Sequence, residues 1–367
     1  MTTVNVSNLS INLATYSYSI EKLVDDIFRD KLDEDVRNFS KNELGIDRVY
    51  KAYDLESTDL ENSQFSIPDI PLNDMYVDVA ERALRSSKRT PSDIGLLTTI
   101  NDNQQYLDPS PTVEISTRLG LSNNVRTQNF QGLTCSSFSE SIRNAAGHFA
   151  LGYENDVLIL IGTYYTIWFL DRLKQIERVS KKNKQEFYNF IYFLIFSDVT
   201  AAAILSGQNR SNDYIAKIDT STIFSLKETT KDSYKKATIK LSPDKTNRII
   251  FDMNLNSKIL KETVAKLSFE NISQMRKKLR KDFEKIKLWG FHTAGSRFVD
   301  HVREICGIDR ESAELTYDLM KETGNTGAVS SSQFIKESIE RKILRKGDVG
   351  CMVDYGWEGA DAFLYEV

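Results

Sequence analysis

The stretch Val125-Arg126-Thr127-Gln128-Asn129-Phe130-Gln131-Gly132-Leu133-Thr134-Cys135-Ser136-Ser137-Phe138-Ser139-Glu140 decides how the rest of this chain is read. A short strand over Val125 to Phe130 gives way, past Gly132, to a helix whose apolar positions Phe138, Ile142, Ala145, Ala146 and Phe149 recur at helical spacing. Ser137, with Glu140 three residues on, fits a capping box that starts this helix. Cys135 therefore sits where strand becomes helix. A thiol in a first helical turn faces unpaired backbone N–H groups and the positive end of the helix dipole, and both favour thiolate over thiol. That is a nucleophile's environment; the bland alternative for a lone cysteine is a small buried hydrophobe.

On both sides of this stretch short apolar runs alternate with helical patterns, the signature of strands joined by crossover helices. Before it, Tyr76 to Ser87 carries a helical stripe, Pro91-Ser92-Asp93 turns into the strand Ile94 to Ile100, and a helix runs from Pro111 to a closing Gly120. After it come a buried strand over Val157 to Ile161 and the apolar run through Phe196-Ser197-Asp198-Val199 to Leu205. Ser206 to Asp213 is polar and turn-rich, which divides the chain into halves of residues 1–210 and 211–367. The second half repeats the alternation: a basic helix from Ser273 to Lys287, strand Leu288 to Phe291, helices Arg297 to Ile305, Arg310 to Glu322 and Ser332 to Arg341, then strands Val349 to Asp354 and Ala362 to Val367. Two α/β halves of similar design point to an internal duplication.

Composition narrows the function classes. The chain has 367 residues, a formal net charge of −4, 40% hydrophobic and 27% charged residues, 17 Gly and 6 Pro, values of a folded protein rather than a disordered or collagen-like one. Three scattered cysteines, Cys135, Cys306 and Cys351, make neither a disulfide framework nor a zinc ribbon, and a reducing compartment is the simplest reading. Met1 to Leu13 lacks the pattern of a secretory signal, and the most apolar stretches fall short of the about 20 residues a bilayer span needs. A cytoplasmic protein is expected, with no membrane association.

Only three histidines are present. His292 directly follows the strand Leu288 to Phe291, the position at which α/β proteins commonly place functional side chains. His148 and His301 lie inside helices and read as structural. Gly324-Asn325-Thr326-Gly327 falls between two helices, and its ordinary reading is a turn with glycines at φ > 0.

A cysteine at a strand–helix junction, a histidine after a strand and an asparagine in a glycine turn, in that chain order, resemble the thiolase superfamily, and within it the β-ketoacyl-acyl-carrier-protein synthase III group. The resemblance covers nearly the whole chain. The family's nucleophile turn looks like Thr134-Cys135-Ser136-Ser137-Phe138, and its phenylalanine-glycine-aspartate-glycine-alanine strand is similar to Phe196-Ser197-Asp198-Val199-Thr200-Ala201. The histidine motif matches His292-Thr293-Ala294-Gly295, the asparagine motif Gly324-Asn325-Thr326-Gly327, and the C-terminal glycine-rich turn resembles Asp354-Tyr355-Gly356-Trp357-Glu358-Gly359. Each motif is weak alone; five in order are strong.

The resemblance implies a thiolase-like five-layer αβαβα fold of two duplicated α/β halves, and an acyltransferase that condenses an acyl-cysteine decarboxylatively with a malonyl-type thioester in fatty-acid or polyketide-like metabolism. Cys135 would accept the acyl group, its own N–H and that of Gly356 would hold the oxyanion, and His292 and Asn325 would polarise the incoming thioester. No metal and no cofactor is implied beyond acyl-coenzyme A or acyl-carrier-protein thioesters. A homodimer is implied as well.

Phe39, upstream of Gly45-Ile46, matches a tryptophan that stacks on coenzyme A adenine, Glu43 falls where an arginine is usual, and Arg297 matches a carrier-protein contact. Gly295 replaces an asparagine, Ser197 and Val199 replace glycines, and Trp357 and Glu358 are bulky where small residues are usual. Ile100-Asn101-Asp102-Asn103 supplies no glutamate acid of the kind hydroxymethylglutaryl-coenzyme A synthase needs. The basic cluster Arg276 to Lys281 with Lys285 and Lys287 reads as a solvated helix face, and a second, Arg172 to Lys184, as dimer contact, lid or solubility. Neither has the interleaved aromatics of a nucleic-acid groove. Two rivals stay open: transfer of the acyl group to a hydroxyl or amine with His292 as general base, and a non-catalytic partner subunit.

Overall fold

Asp156–Thr163 reads Asp-Val-Leu-Ile-Leu-Ile-Gly-Thr with every residue buried, the composition of a strand covered on both faces. A computed structural model of the chain describes residues 3–57, 70–101, 109–132, 134–174, 176–208, 213–227, 237–243, 249–255, 257–357 and 359–367. Asp102, Asn103, Leu133 and Glu358, and residues 209–212 at the expected boundary, lie outside them.

The strands are β1 (Thr3–Leu13), β2 (Tyr16–Ser19), β3 (Arg48–Lys51), β4 (Ile94–Asn101), β5 (Arg126–Gln131), β6 (Asp156–Thr163), β7 (Val199–Gly207), β8 (Ala216–Asp219), β9 (Phe224–Lys227), β10 (Ala237–Pro243), β11 (Ile249–Leu255), β12 (Ile286–Phe291), β13 (Val349–Tyr355) and β14 (Gly359–Glu366). Ten form one sheet in the order β12-β13-β14-β8-β1-β7-β6-β4-β5, with β9 added beside β14. Each half repeats one scheme. Parallel pairs, β4 with β5 and β6 in the first and β12 with β13 in the second, lead into antiparallel neighbours, β6-β7-β1 and β13-β14-β9. The halves join where β8 runs antiparallel to β1 and touches β14 through Lys217 and Glu366.

The helices are α1 (Glu34–Glu43), α2 (Leu72–Ser86), α3 (Pro111–Arg118), α4 (Ser137–Ala150), α5 (Thr166–Lys174), α6 (Lys184–Ile195), α7 (Ser257–Leu279), α8 (Ser296–Cys306), α9 (Glu314–Thr323) and α10 (Ser330–Glu340). Alternation along the strands sorts them into layers. Val157, Ile159 and Ile161 of β6 face one core together with Phe138, Ile142 and Ala145 of α4, Phe334 and Ile335 of α10, and Met352 and Phe363 of β13 and β14. Leu158 and Leu160 face the opposite side, against Val79, Ala80 and Ala83 of α2. In the second half Cys351 and Val353 turn outward to Val264, Ile272 and Met275 of α7 and Val299 and Val302 of α8. The two half-sheets thus enclose α4 and α10 and are covered outside by further helices, the expected αβαβα order.

Two sequence expectations need correction. The basic helix expected from Ser273 begins at Ser257, because Leu260, Val264, Ala265, Ile272 and Met275 form one buried stripe along it. It stops at Leu279, since Arg280 takes φ +53, a left-handed conformation that ends an α-helix. The basic cluster Arg276 to Lys281 with Lys285 and Lys287 is exposed, as a solvated face should be, and several of its members find local partners: Arg276 packs on the Phe283 ring (4.6 Å), Lys278 donates to the Ser221 carbonyl, and Lys285 and Lys287 pair with Asp282 and Asp348. No helix among the described residues is long and apolar enough to cross a membrane.

Candidate active site

Cys135 lies in the 3-10 turn Thr134–Ser136 that opens α4, is 7% exposed and is not in a disulfide. The expected capping box does not form: α4 begins at Ser137 itself, and Glu140 pairs with Arg143 at 3.0 Å. The turn packs against a second 3-10 turn, Gly327–Val329, and against β13 and β14.

His292 leaves β12 with its backbone tied to β13, His292 N–H donating to the Val353 carbonyl at 3.1 Å. Its ring is buried, and burial pulls its pKa down to about 3, so the imidazole is neutral at physiological pH. The hydroxyl of Ser330 donates to the Gly327 carbonyl at 2.7 Å, so at 3.0 Å it accepts from Nδ1 of His292. Nδ1 therefore carries the ring hydrogen and Nε2 keeps its lone pair. Thr293 and Thr326 complete the hydroxyl cluster around Ser330, at 3.1 and 3.3 Å. Tyr355 donates to the His292 carbonyl at 2.8 Å, meets its ring edge-on at 5.3 Å, and lies within electrostatic range of Cys135.

Asn325 is gripped on both sides by backbone: its N–H donates to Ile195 O (2.7 Å) and its carbonyl accepts from Ser197 N–H (2.9 Å). Its Oδ1 accepts from Gly327 N–H at 2.9 Å, which leaves the side-chain NH2 as the group with hydrogens to offer. Gly324, at φ +68 and ψ −155, admits this close approach, since an added Cβ would sit 2.6 Å from the Ile195 carbonyl oxygen. His292 and Asn325 are thus each fastened by a hydrogen bond to the short segment Gly327 to Ser330, against which the turn that carries Cys135 packs.

The Gly356 N–H, expected in an oxyanion hole, donates to the Gly359 carbonyl at 2.9 Å and closes the hairpin between β13 and β14. Ser197, where the family has glycine, accepts from Tyr50 N–H (2.9 Å) and donates to Thr323 O (2.6 Å). Gly295 adopts φ +109 and ψ 144 as the residue before α8. Open space surrounds it, so backbone strain and not crowding opposes a side chain. Gly295→Asn is therefore expected to destabilise the chain by roughly 1–3 kcal/mol, read as a lower urea midpoint; an unchanged midpoint would contradict this.

Phe39 and Arg297 come together at a second place. The Arg297 guanidinium stands 5.9 Å from the Phe39 ring centre and pairs with Glu43, while Lys181 lies over the same ring at 5.1 Å. Phe187 packs edge-on against the ring at 5.4 Å. Lys181 belongs to the basic segment 172–184, in which Arg178 pairs with Asp33. Phe39 is thus an aromatic ring flanked by two cations.

Sequence reading passed over several groups that hold this site. Ser330 sets the histidine tautomer, and the run Ser330-Ser331-Ser332 just after the glycine turn was the available signal. Lys51, fully buried, donates to the Phe193 (2.6 Å) and Phe196 (2.7 Å) carbonyls at the end of α6. Asp198 answers it electrostatically and accepts from Ala52 N–H (2.9 Å) and Thr166 N–H (3.0 Å). Burial lowers the Lys51 pKa to about 8 and raises that of Asp198, each effect offset in part by the other charge. Among the described residues no group of three or more side chains is arranged to hold a metal ion.

No protein-family profile and no curated protein sequence matches the chain. Its fold nevertheless superposes on solved structures from end to end. FabH, the 3-oxoacyl-(acyl carrier protein) synthase III of Xanthomonas oryzae pv. oryzae, gives a TM-score of 0.79 at 17% identity, covering 100% of both chains. A cysteine-to-serine variant of Xanthomonas campestris OleA, with bound lauric acid and lauroyl-CoA, gives 0.78 at 17% identity over 99% of each chain. Cerulenin-bound OleA gives 0.76 at 16% identity, again over 100% of both. Matched along nearly its whole length to both, this protein has the thiolase-type fold of FabH and OleA.

Proposed function

We propose that the chain is an acyltransferase of the β-ketoacyl-acyl-carrier-protein synthase III type, with Cys135 as its acyl-accepting nucleophile. The observation that carries this reading is the common anchorage of His292, Asn325 and the turn that carries Cys135 on the segment Gly327 to Ser330. Nε2 of the neutral His292 takes the thiol proton as sulfur attacks a thioester carbonyl, and returns it to the departing thiolate. The oxyanion is stabilised by the Cys135 N–H at the start of α4; Gly356 supplies no second donor while its hairpin hydrogen bond is intact. In the second half-reaction a malonyl-type thioester loses carbon dioxide, its enolate attacks the acyl carbonyl, and Cys135 leaves as thiolate. The NH2 of Asn325 steadies the enolate oxygen. The donor's nucleotide or carrier end is assigned to Phe39, Arg297 and Lys181, where its phosphate displaces Glu43 from Arg297. A homodimer follows if a second copy adds to the sheet at β5, its terminal strand.

A second reading is favoured by one observation. The Ser330 contact leaves Nε2 as a base, and the asparagine usual at position 295 is replaced by Gly295, so His292 suits removal of a proton from a hydroxyl or amine acceptor, giving an ester or amide. Intact-mass measurement after incubation with a panel of acyl-coenzyme A and acyl-carrier-protein donors tests the common step. A donor-sized gain on the unmodified chain, absent from Cys135→Ala, is expected; no adduct from any donor would leave the non-catalytic subunit as the better account. Carbon dioxide release on adding malonyl-carrier protein then separates condensation from transfer to oxygen or nitrogen.

A further inference from the structure

Two carboxylic acids outside this scheme stand face to face in the core. Asp354 of β13 and Asp361 of β14 are cross-strand partners, and both side chains are buried on the sheet face that carries Met352 and Phe363 against the central helices. Directly opposed residues hold their Cβ atoms about 4.5–5.5 Å apart, within reach of a carboxyl–carboxyl contact. Each aspartate spends one oxygen on a central helix: Asp354 Oδ2 accepts from Ser331 in the first turn of α10, and Asp361 Oδ2 from Ser139 in the first turn of α4 at 2.5 Å. The Oδ1 atom of each is buried and has no hydrogen-bond partner among the described residues.

The surroundings separate the two acids. Asp361 faces Lys227 and Ser225 from β9, Arg143 and Ser139 from α4, and Asp354 from β13. Asp354 faces Ser331 from α10 and Asp361 from β14, with no cation beside it among the described residues, and burial with the neighbouring carboxylate raises its pKa to about 8. Two adjacent carboxylates in such a place cannot both ionise cheaply, whereas one proton between them gives each idle Oδ1 a partner.

We propose that Asp354 is protonated and donates through Oδ1 to Oδ1 of Asp361, and that this one-proton pair clamps the first turns of α4 and α10 together. These are positioning residues. Through Ser139 the pair steadies the helix that Cys135 opens, and through Ser331 it steadies the neighbour of Ser330, which orients His292. The clamp rests on the geometry of the hairpin; its effect on Cys135 also rests on the role proposed for that thiol. Once pH passes the point at which the shared proton leaves, the two charges repel across the hairpin and the grip on α4 loosens.

Infrared titration of the whole chain tests the proton directly. A protonated-carboxyl band is expected at pH 6, lost as the pH rises through about 8, missing from Asp354→Asn and retained in Asp361→Asn. No such band in the unmodified chain, or one undiminished in Asp354→Asn, overturns the shared proton. The unmodified chain and Asp361→Asn keep the test decisive if Asp354→Asn does not fold: without its neighbour the Asp354 band should be lost at lower pH than in the unmodified chain, and an unmoved titration overturns the sharing. Alkylation of Cys135 by iodoacetamide, located by peptide mass, tests the positioning. Asn supplies a neutral donor at every pH, so the rate ratio of unmodified chain to Asp354→Asn should stay constant below pH 7 and depart from it above. A constant ratio at all pH values overturns the positioning role. Neither readout needs an acyl donor, so this proposal and the acyl-transfer reading can fail separately.

Discussion

Replacing Asp198 by alanine should remove roughly 3–5 kcal/mol of stability, the usual consequence of stripping one member from a buried pair of opposite charges. Its two oxygens satisfy the N–H groups of Ala52 and Thr166, and its charge is what Lys51 faces in the interior. Without it those two donors lose their partner, each a penalty of about 1–3 kcal/mol, and the Lys51 ammonium is left with two carbonyls and no counter-charge. Urea unfolding gives the measurement; a loss under about 1 kcal/mol would sink the argument. Adding Lys51→Met to Asp198→Ala should recover part of the loss, because an apolar replacement of both members removes the stranded charge. The consequence reaches the site: Lys51 caps the end of α6 through the Phe193 and Phe196 carbonyls, and Ile195 and Ser197, on either side of Phe196, grip Asn325.

His292→Ala should leave the acyl-cysteine able to form, slowly, while turnover falls about 10²–10⁴-fold, the range for loss of a positioned acid–base group. Single-turnover labelling of Cys135 set against steady-state product formation separates the two steps, and full turnover in the variant would contradict the assignment. The same residue makes a prediction about acid. Its pKa is about 3 in the folded chain against an ordinary value of 6.5, so between those values the unfolded chain binds the extra proton. Stability from this group is therefore intact above about pH 6.5 and declines as the pH falls toward 3. His292→Ala should flatten that part of the acid-unfolding curve.

Much of the architecture was readable along the chain because it depends on near neighbours. The continuous apolar run of β6, the Pro111 helix start and the stripe Phe138, Ile142, Ala145 reflect the 2.0 and 3.6 residue periods, and the structure reproduces each. Where the reading missed, a distant partner had intervened. The capping box expected at Ser137 lost Glu140 to Arg143, and the helix expected at Ser273 starts at Ser257 because its early turns are buried against the second half-sheet.

Local position singled out Cys135 at a strand–helix junction and His292 after a strand, while Asn325, Phe39 and Arg297 were picked out by the resemblance to the β-ketoacyl-acyl-carrier-protein synthase III group. Folding settled matters that no motif contains: which ring nitrogen of His292 holds the hydrogen, that the Gly356 amide closes its own hairpin, and that Lys181 joins Phe39 from a segment far along the chain. Strand register is the clearest instance. Six residues separate Asp354 from Asp361, and nothing in that spacing says whether their carboxyls meet. The register of β13 against β14 sets them directly opposite, whereas a slip of one residue would send one of them to the other face of the sheet.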